Sequence, residues 1–208
     1  MDINNRIASR VRELRDAQGY SLDTLAERSG VSRSTISLIE RGQSSPTATV
    51  LDKLATALRV TLASLFEDSA AHAAEPSPLA RAGDQPVWTD PTSGYIRRNL
   101  SPAARSPIQL VEVNFPPGQQ VAYDTSERDV EIHQQVWMIE GVMEMTVGDV
   151  RWRLETGDCL SMRLDCPTAF RNPTHEPARY LVALSSVPFA SFTSFAPLTR
   201  FVPARRSG

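Results

Sequence analysis

Cysteine, lysine and long apolar runs are scarce or missing in this chain of 208 residues. Two cysteines, Cys159 and Cys166, are too few for a disulfide scaffold and fit a reducing compartment. The sequence contains no run of about 18 or more apolar residues, so it predicts no membrane span. The N-terminus lacks the charged start and apolar stretch of a signal peptide. We therefore expect a cytoplasmic protein with no membrane partner. One lysine beside 21 arginines indicates only genomic bias.

The length and the change of hydrophobic period predict two domains. A chain of 208 residues exceeds one small domain, and an apolar fraction of 41% supports a packed core. In residues 1–68 the apolar residues recur with helical spacing. In residues 94–188 apolar and polar residues alternate, as they do in strands. Residues 69–93 are rich in small residues and proline, which is typical of a linker. Residues 189–208 form a C-terminal tail. Trp88 predicts that the end of the linker docks, because a large aromatic side chain is rarely left in a free tether.

The stretch from Leu22 to Gly42 predicts two short helices around a tight turn. Ser21 and Ser32 are placed to accept an orphan backbone N–H at the start of each helix. Gly30 is placed to end the first helix in the left-handed conformation. The apolar residues that carry the helical spacing are Leu22, Leu25 and Ala26 in the first helix and Ile36 and Ile39 in the second.

Three further apolar stripes predict helices on either side of this pair. They are Ile7, Val11 and Leu14; Val50, Leu51, Leu54, Ala55 and Leu58; and Leu62, Leu65 and Phe66. Five helices in about 60 residues, the middle two adjacent and short, resemble the XRE-type helix-turn-helix of the phage-repressor and Cro family, from Arg6 to Phe66. The resemblance implies a five-helix bundle, double-stranded operator DNA as a partner and binding as a homodimer.

The resemblance also implies which residues contact DNA. Arg33 and Ser34 match positions that reach base edges, and Ser32 and Thr35 match positions near phosphates. An arginine can bind guanine through two hydrogen bonds, which makes Arg33 the best candidate base reader. The full set of expected DNA contacts is Leu22, Ser32, Arg33, Ser34, Thr35, Ser37, Leu38 and Arg41.

Two positions depart from the family, and one pair matches an internal contact. Leu22 stands where the family often has Gln, and Leu38 where it often has a polar or basic residue. Leu38 either contacts a thymine methyl or packs against the core. By the same resemblance, Arg15 and Glu40 form a salt bridge between the first helix and the end of the third.

The charge of the helical domain is balanced. Residues 1–68 contain nine basic and nine acidic side chains. Electrostatic attraction to DNA therefore depends on the local placement of Arg6, Arg10, Arg33 and Arg41 rather than on net charge.

Alternating segments bounded by glycine turns follow the linker. They are Ile108–Phe115, Gln135–Glu140, Val142–Val147, Val150–Leu154 and Arg179–Val187, with turns at Pro117–Gly118, Gly141, Gly148–Asp149 and Gly157–Asp158. About eight short strands with regular turns predict an all-β barrel or sandwich.

The segment VWMIEGVMEMTVGDVRWRLETGD and the spacing of later residues sharpen this prediction. Asn172 lies 15 residues after Gly157, and a terminal strand follows HEPARY. Together these resemble a cupin, a double-stranded β-helix barrel, over residues 94–187. Gly118 and Gly141 match the ends of the first cupin motif, and Gly157 and Asn172 match the ends of the second.

The metal ligands of the cupin motifs have no counterpart here. Gln134 stands where the family has a ligating Glu. The two histidines of the first motif fall within residues 127–130, or at Asp124 and Ser126, where no histidine occurs. In the second motif the Pro, Gly and His positions are Arg163, Asp165 and Thr168. Because amide and hydroxyl groups bind Fe, Mn or Zn poorly, we expect no metal, no cofactor and no enzymatic activity.

A barrel without a metal retains a concave interior of the size that holds a small molecule. The residues expected to line it are Gln134, Val136, Met138, Met143, Met145, Arg163, Thr168 and Phe170. Arg163 would pair with a carboxylate or phosphate if it lies at the mouth. His133 adjoins Gln134 on an alternating strand and should face away. A non-standard metal or redox site of His133, Cys159 and Cys166 stays open, although cysteine acts more often as a small apolar residue.

These features predict a transcriptional regulator with a DNA-binding head and a cupin-like body. The body would sense a small-molecule effector and help to dimerise the chain. Two alternatives remain: a body that only dimerises, and a metal-dependent cupin enzyme fused to a DNA-binding head. The aromatic residues of the tail, 189–208, predict that it packs on the barrel or on a partner subunit.

Overall fold

A computed structural model describes residues 2–67, 77–104, 106–124 and 130–188, and its first part is helical. The α-helices are α1 (Ile3–Ala17), α2 (Leu22–Ser29), α3 (Arg33–Glu40) and α4 (Ala48–Ala57). The expected five-helix bundle is wrong in one element, because Leu62–Phe66 form a 3-10 helix and not a fifth α-helix. Ser64 donates its N–H to the carbonyl and side chain of Thr61, and the backbone is extended again at Glu67. Five residues with this tight bonding make one short 3-10 turn.

The helical stripes predicted from the sequence meet in one core. Its fully buried side chains are Ile7, Val11, Leu25, Ile36, Leu51, Leu54, Leu58 and Leu65, with Ile39 and Phe66 almost as enclosed. Val31, between α2 and α3, is also buried and holds the corner against this core.

The second part of the chain consists of two antiparallel sheets. The strands are β1 (Val87–Thr89), β2 (Ile96–Asn99), β3 (Ile108–Phe115), β4 (Gln120–Tyr123), β5 (Val130–Glu140), β6 (Met143–Val147), β7 (Val150–Leu154), β8 (Cys159–Arg163), β9 (Thr168–Arg171) and β10 (Ala178–Pro188). The larger sheet has the order β1-β2-β3-β10-β5-β8, and the smaller has the order β4-β9-β6-β7.

The expectation of a closed barrel is wrong. No hydrogen-bonded ladder joins the two sheets within the described ranges, so they face each other as an open sandwich. From β3 onward the chain changes sheet at nearly every turn, and only the β6–β7 hairpin stays within one sheet. The turn at Gly141 shows why: its φ is +82°, and a Cβ there would lie 2.8 Å from the Pro177 carbonyl oxygen. A sharp, glycine-dependent corner moves the chain to the other sheet instead of extending a ladder.

Trp88 is docked, as its aromatic side chain predicted, and the structure shows that it joins the two parts. It is only 2% exposed, and its ring lies 5.7 Å from that of Phe66 and 5.7 Å from that of Tyr95. Strand β1, which carries Trp88, begins inside the segment expected to be a linker. The helical core and the sheet core form one continuous apolar cluster through this contact.

Asp90 adds a polar contact across the same junction. Its buried carboxylate accepts a hydrogen bond from the Ala48 N–H at the start of α4 (2.8 Å). The other carboxylate oxygen accepts from the Ser93 N–H at 2.7 Å and from the Ser93 hydroxyl at 2.6 Å. A carboxylate from the sheet unit therefore caps a helix of the helical unit, where the helix dipole favours negative charge.

We expect Asp90→Asn to lower the free energy of unfolding by about 1 to 2 kcal/mol, in the range of a lost helix cap. The substitution removes the charge at the helix N-terminus and sets an amide N–H against one of these donors. Urea unfolding monitored by Trp fluorescence measures the change. Asp84→Asn, at an exposed aspartate, is the matched control and should leave the midpoint unchanged. Equal midpoints for both variants would contradict the cap.

Candidate DNA interface and ligand cavity

The caps predicted for the helix pair are confirmed. Ser21 Oγ accepts a hydrogen bond from the Thr24 N–H at 3.0 Å, and Ser32 Oγ accepts from the Thr35 N–H at 3.1 Å. Gly30 ends α2 with a φ of 65° in the left-handed region. The turn therefore sets the angle of α3 against α2 by local hydrogen bonds and one glycine.

The expected DNA contacts, which lie on α3, at its two caps and at the start of α2, are exposed to different degrees. Ser32, Arg33, Ser34, Leu38 and Arg41 are exposed. Half-buried positions are Leu22, Thr35 and Ser37. Leu22 packs against the helical core, whereas Leu38 keeps 38% of its surface exposed on the outer face.

Arg33 places an exposed positive charge at the start of α3. Its side chain is 62% exposed, and its Nε lies 3.0 Å from the Asp23 carboxylate of α2. An ion pair between two exposed groups contributes little free energy, so the guanidinium can exchange Asp23 for a DNA acceptor at low cost.

Behind this surface, Arg15 and Glu40 form the salt bridge that the resemblance implied. Arg15 Nε donates to Glu40 Oε1 at 2.6 Å, and Arg15 Nη2 donates to Glu40 Oε2 at 2.9 Å. The Arg15 and Glu40 side chains are only 13% and 5% exposed. The hydrogen bond to Glu40 raises the pKa of Arg15 above its ordinary value. Arg12 also donates to the Glu40 carbonyl at 2.8 Å, so α1 holds the end of α3 in place.

A cavity of about 60 Å³ lies inside the sandwich. One wall comes from the helical unit, through Asp52 of α4, Thr61 and Leu62. The sheets contribute apolar walls and a set of polar side chains: Tyr95, Arg97, Tyr123, Gln134, Thr168 and Tyr180. An open groove of about 630 Å³ lies beside the cavity, between α4 and the smaller sheet. Tyr123 and Thr168 line both spaces.

The residues expected to line the interior separate into three groups. Gln134, Thr168 and Phe170 line the cavity. Four others are fully buried in the packed core and do not border it: Val136, Met138, Met143 and Met145. Arg163 points outward, where it pairs with Asp165 and lies 3.6 Å from Glu131. The reason is strand parity, because Met162 is the inward residue at the end of β8.

Arg97, Tyr95 and Tyr123 line the cavity but were missed by the sequence reasoning. The pair Tyr95 and Arg97 has the i, i+2 spacing of residues on one face of a strand, a signal that the sequence does contain. The wall supplied by α4 and the 3-10 helix has no such local signal.

Of the three cavity tyrosines, Tyr95 and Tyr180 are buried and Tyr123 is half-buried. The hydroxyls of Tyr95 and Tyr123 lie 3.1 Å apart. Burial raises the pKa of Tyr95, Tyr123 and Tyr180, and the positive charge of Arg97 opposes the rise at each. The three hydroxyls therefore stay protonated at neutral pH, near a buried cation.

His133, Cys159 and Cys166, considered above as a non-standard metal or redox site, do not form a cluster. His133 is half exposed and lies 3.2 Å from Glu131. Cys159 is exposed, and Cys166 lies beside Gly148. Among the residues that the structure describes, no three His, Cys, Asp or Glu side chains converge. Ser126, most of the 127–130 segment and the tail 189–208 lie outside the described residues.

Two family models match the chain in separate regions. A helix-turn-helix model matches residues 11–65, and a cupin domain model matches residues 111–184. In the described ranges, no helix is long and apolar enough to cross a membrane.

Two relatives match the chain over a stretch of about 60 residues or less. The chain is 44% identical over 54 residues to the HTH-type transcriptional regulator SutR of Escherichia coli (strain K12) and covers 30% of that protein. It is 38% identical over 63 residues to the HTH-type transcriptional regulator SinR of Bacillus subtilis (strain 168) and covers 57% of it. These matches span 26% and 30% of the present chain.

Among the solved structures with a similar fold is one that matches most of the chain. The crystal structure of an HTH_3 family transcriptional regulator from Vibrio cholerae superposes with a TM-score of 0.69 at 24% identity. The superposition covers 88% of the present chain and 96% of the Vibrio chain. The order of a helical unit followed by a two-sheet unit is therefore a known fold.

Proposed function

Because the chain belongs to the XRE-type helix-turn-helix proteins and carries a cupin domain, we propose that it is a sequence-specific transcriptional regulator whose cupin domain senses a small molecule. The observation that carries the proposal is the exposed first turn of α3. Arg33 and Ser34 lie outside on a helix whose angle is held by capped ends and by the Arg15–Glu40 bridge. Such a helix fits the major groove, where side chains near its start contact base edges.

The cavity supports the sensing role. The cavity lies between the two sheets and the helical unit, and its wall is mostly apolar with a few polar groups, as in small-molecule sites. No metal enters the proposed mechanism, and the body is proposed to act by binding rather than by catalysis.

The junction supplies a physical route from cavity to DNA. Asp52, Thr61 and Leu62 of the helical unit form part of the cavity wall. The Arg97 guanidinium carbon lies 5.6 Å from the centre of the Phe66 ring, which in turn contacts Trp88. A ligand in the cavity therefore interacts with both units, and its affinity depends on how they are arranged. By linkage, the ligand then shifts the population of that arrangement.

A homodimer completes the proposal. Two heads must be held about 34 Å apart to contact half-sites one helical turn apart. A ligand that changes how each head sits on its body changes this separation, and a differential affinity of a few kcal/mol is sufficient.

The test uses the full chain and DNA from upstream of its own gene. Fluorescence anisotropy at about 0.15 M salt, with excess unrelated duplex, should give a dissociation constant on the order of 10⁻⁸ M. Sedimentation should show two chains on each site. Failure to retain this DNA, with and without a metabolite extract, contradicts the proposal. Thermal stabilisation by an extract fraction separates sensing from a body that only dimerises. Close to one equivalent of Fe, Mn, Ni or Zn per chain would favour the enzyme instead.

A further inference from the structure

Arg97 on β2 is a buried cation with unused hydrogen-bond donors. The residue is 7% exposed and lines the cavity. Among the described residues, neither its Nε nor its Nη2 has a hydrogen-bond partner. A buried charged donor without an acceptor is costly, so its persistence calls for an explanation.

The two unused donors belong to the same edge of the guanidinium. Nε–H and the adjacent Nη2–H point in parallel and match the two oxygens of a carboxylate. The chain contains this geometry elsewhere, because Arg15 uses the same two atoms to bind both oxygens of Glu40. The open edge of Arg97 is therefore shaped for a planar oxyanion.

Neighbouring groups suit the same ligand. Tyr95, Tyr123 and Tyr180 also line the cavity, and the charge of Arg97 acts on all three hydroxyls. Protonated hydroxyls donate to carboxylate oxygens. The remaining wall combines apolar residues such as Val113, Phe115 and Leu184 with the polar side chains of Gln134 and Thr168, and Asp52 of α4 adds a carboxylate. The site thus offers the free guanidinium edge of Arg97 and tyrosine hydroxyls beside apolar side chains.

The size of the cavity limits the ligand. About 60 Å³ holds roughly five waters, or a molecule with a similar number of heavy atoms. We propose that the cavity binds a small carboxylate of about four to six non-hydrogen atoms through the Nε and Nη2 edge of Arg97. This inference rests on the proposed sensing function and adds the chemical class of the effector.

Calorimetry and thermal unfolding of the full chain test the inference with acetate, butyrate and hexanoate. Butyrate should bind saturably and raise the unfolding midpoint. Hexanoate should bind more weakly, because it exceeds the cavity. Butyramide, which has the same shape without the charge, should bind at least about tenfold more weakly than butyrate, since it lacks the second anionic oxygen. Inorganic phosphate and sulfate test whether any oxyanion is sufficient.

Variants at Arg97 identify the site. Arg97→Met should weaken butyrate binding at least about tenfold, and Arg97→Lys should also weaken it, because lysine keeps the charge without the two-donor edge. Arg98→Met is the matched control, since Arg98 lies on the same strand but does not line the cavity, and it should bind as the unchanged chain does. Arg97→Lys serves as the readout if Arg97→Met does not fold.

Three outcomes would overturn the inference: no binding of any carboxylate at millimolar concentration, equal binding of butyrate by the Arg97 variants, or tighter binding of phosphate than of butyrate. The test needs no DNA. If the chain binds butyrate but not its promoter DNA, the result supports the carboxylate site and contradicts the proposed regulatory function. If the chain binds its promoter DNA but no carboxylate, the result supports the regulatory function and contradicts the carboxylate site.

Discussion

Replacing Glu40 by alanine should lower the free energy of unfolding by about 3 kcal/mol, the low end of the range for breaking a buried ion pair. The reason is that Arg15, only 13% exposed, loses an acceptor that binds two of its nitrogens. The decrease in the free energy of unfolding is limited, because Arg15 also donates to the Tyr20 carbonyl at 2.9 Å and to Asp16 at 2.6 Å. Urea unfolding followed by circular dichroism at the helical band measures the change.

Two further variants separate charge from packing. The double variant Arg15→Met and Glu40→Leu should recover much of the lost stability, because it removes both charges together. Glu155→Ala removes a partner of Arg153 from an exposed pair at 3.4 Å and should change stability by less than about 1 kcal/mol. A Glu40→Ala change no larger than that of Glu155→Ala would refute the structural role of the bridge.

Replacing Arg33 by alanine should weaken binding to the specific operator by about 5- to 150-fold, which corresponds to about 1 to 3 kcal/mol for a lost two-bond contact to guanine. Binding to unrelated duplex should fall much less, because the phosphate contacts proposed for Ser32 and Thr35 do not depend on Arg33. Fluorescence anisotropy with both DNAs at one salt concentration measures the ratio. Base substitutions in the operator should show that discrimination at one guanine has relaxed.

Arg153→Ala is the matched control for this experiment. Arg153 is also an exposed arginine in an ion pair, but it lies on β7 of the cupin domain. Its loss should leave operator affinity within about twofold of the unchanged chain, because the free energy of an exposed pair is small. If Arg33→Ala weakens binding to the operator and to unrelated DNA by the same factor, Arg33 is a phosphate contact and the base reader lies elsewhere.

The features that depend on neighbouring residues could be predicted from the sequence. Ser21, Gly30 and Ser32 act on N–H groups or dihedral angles within a few positions, so their residue types are sufficient to place the helix ends. Strand β7 was predicted with its observed bounds, and β3 likewise, because alternation and glycine turns are also local signals.

Errors arose where one residue's neighbours come from distant parts of the chain. Arg163 was assigned to the interior by its place in a motif, but Met162 occupies the inward position of β8. The fifth helix had a helical stripe, yet the backbone tightened into a 3-10 turn where it meets the sheets: Thr61 donates to the Gln109 side chain of β3 at 2.7 Å. Apolar spacing records which face is buried, but it does not record which element buries it.

Local chemistry thus identified a capped helix pair with an outward arginine and a strand-rich partner domain. The tertiary structure decided that the two sheets stay open, that Trp88 and Asp90 bind the units together, and that Arg97 lies in a cavity with a wall from the helical unit. The physical reason is range: caps and strand parity act over a few residues, whereas a cavity exists only when segments far apart in the chain pack around it.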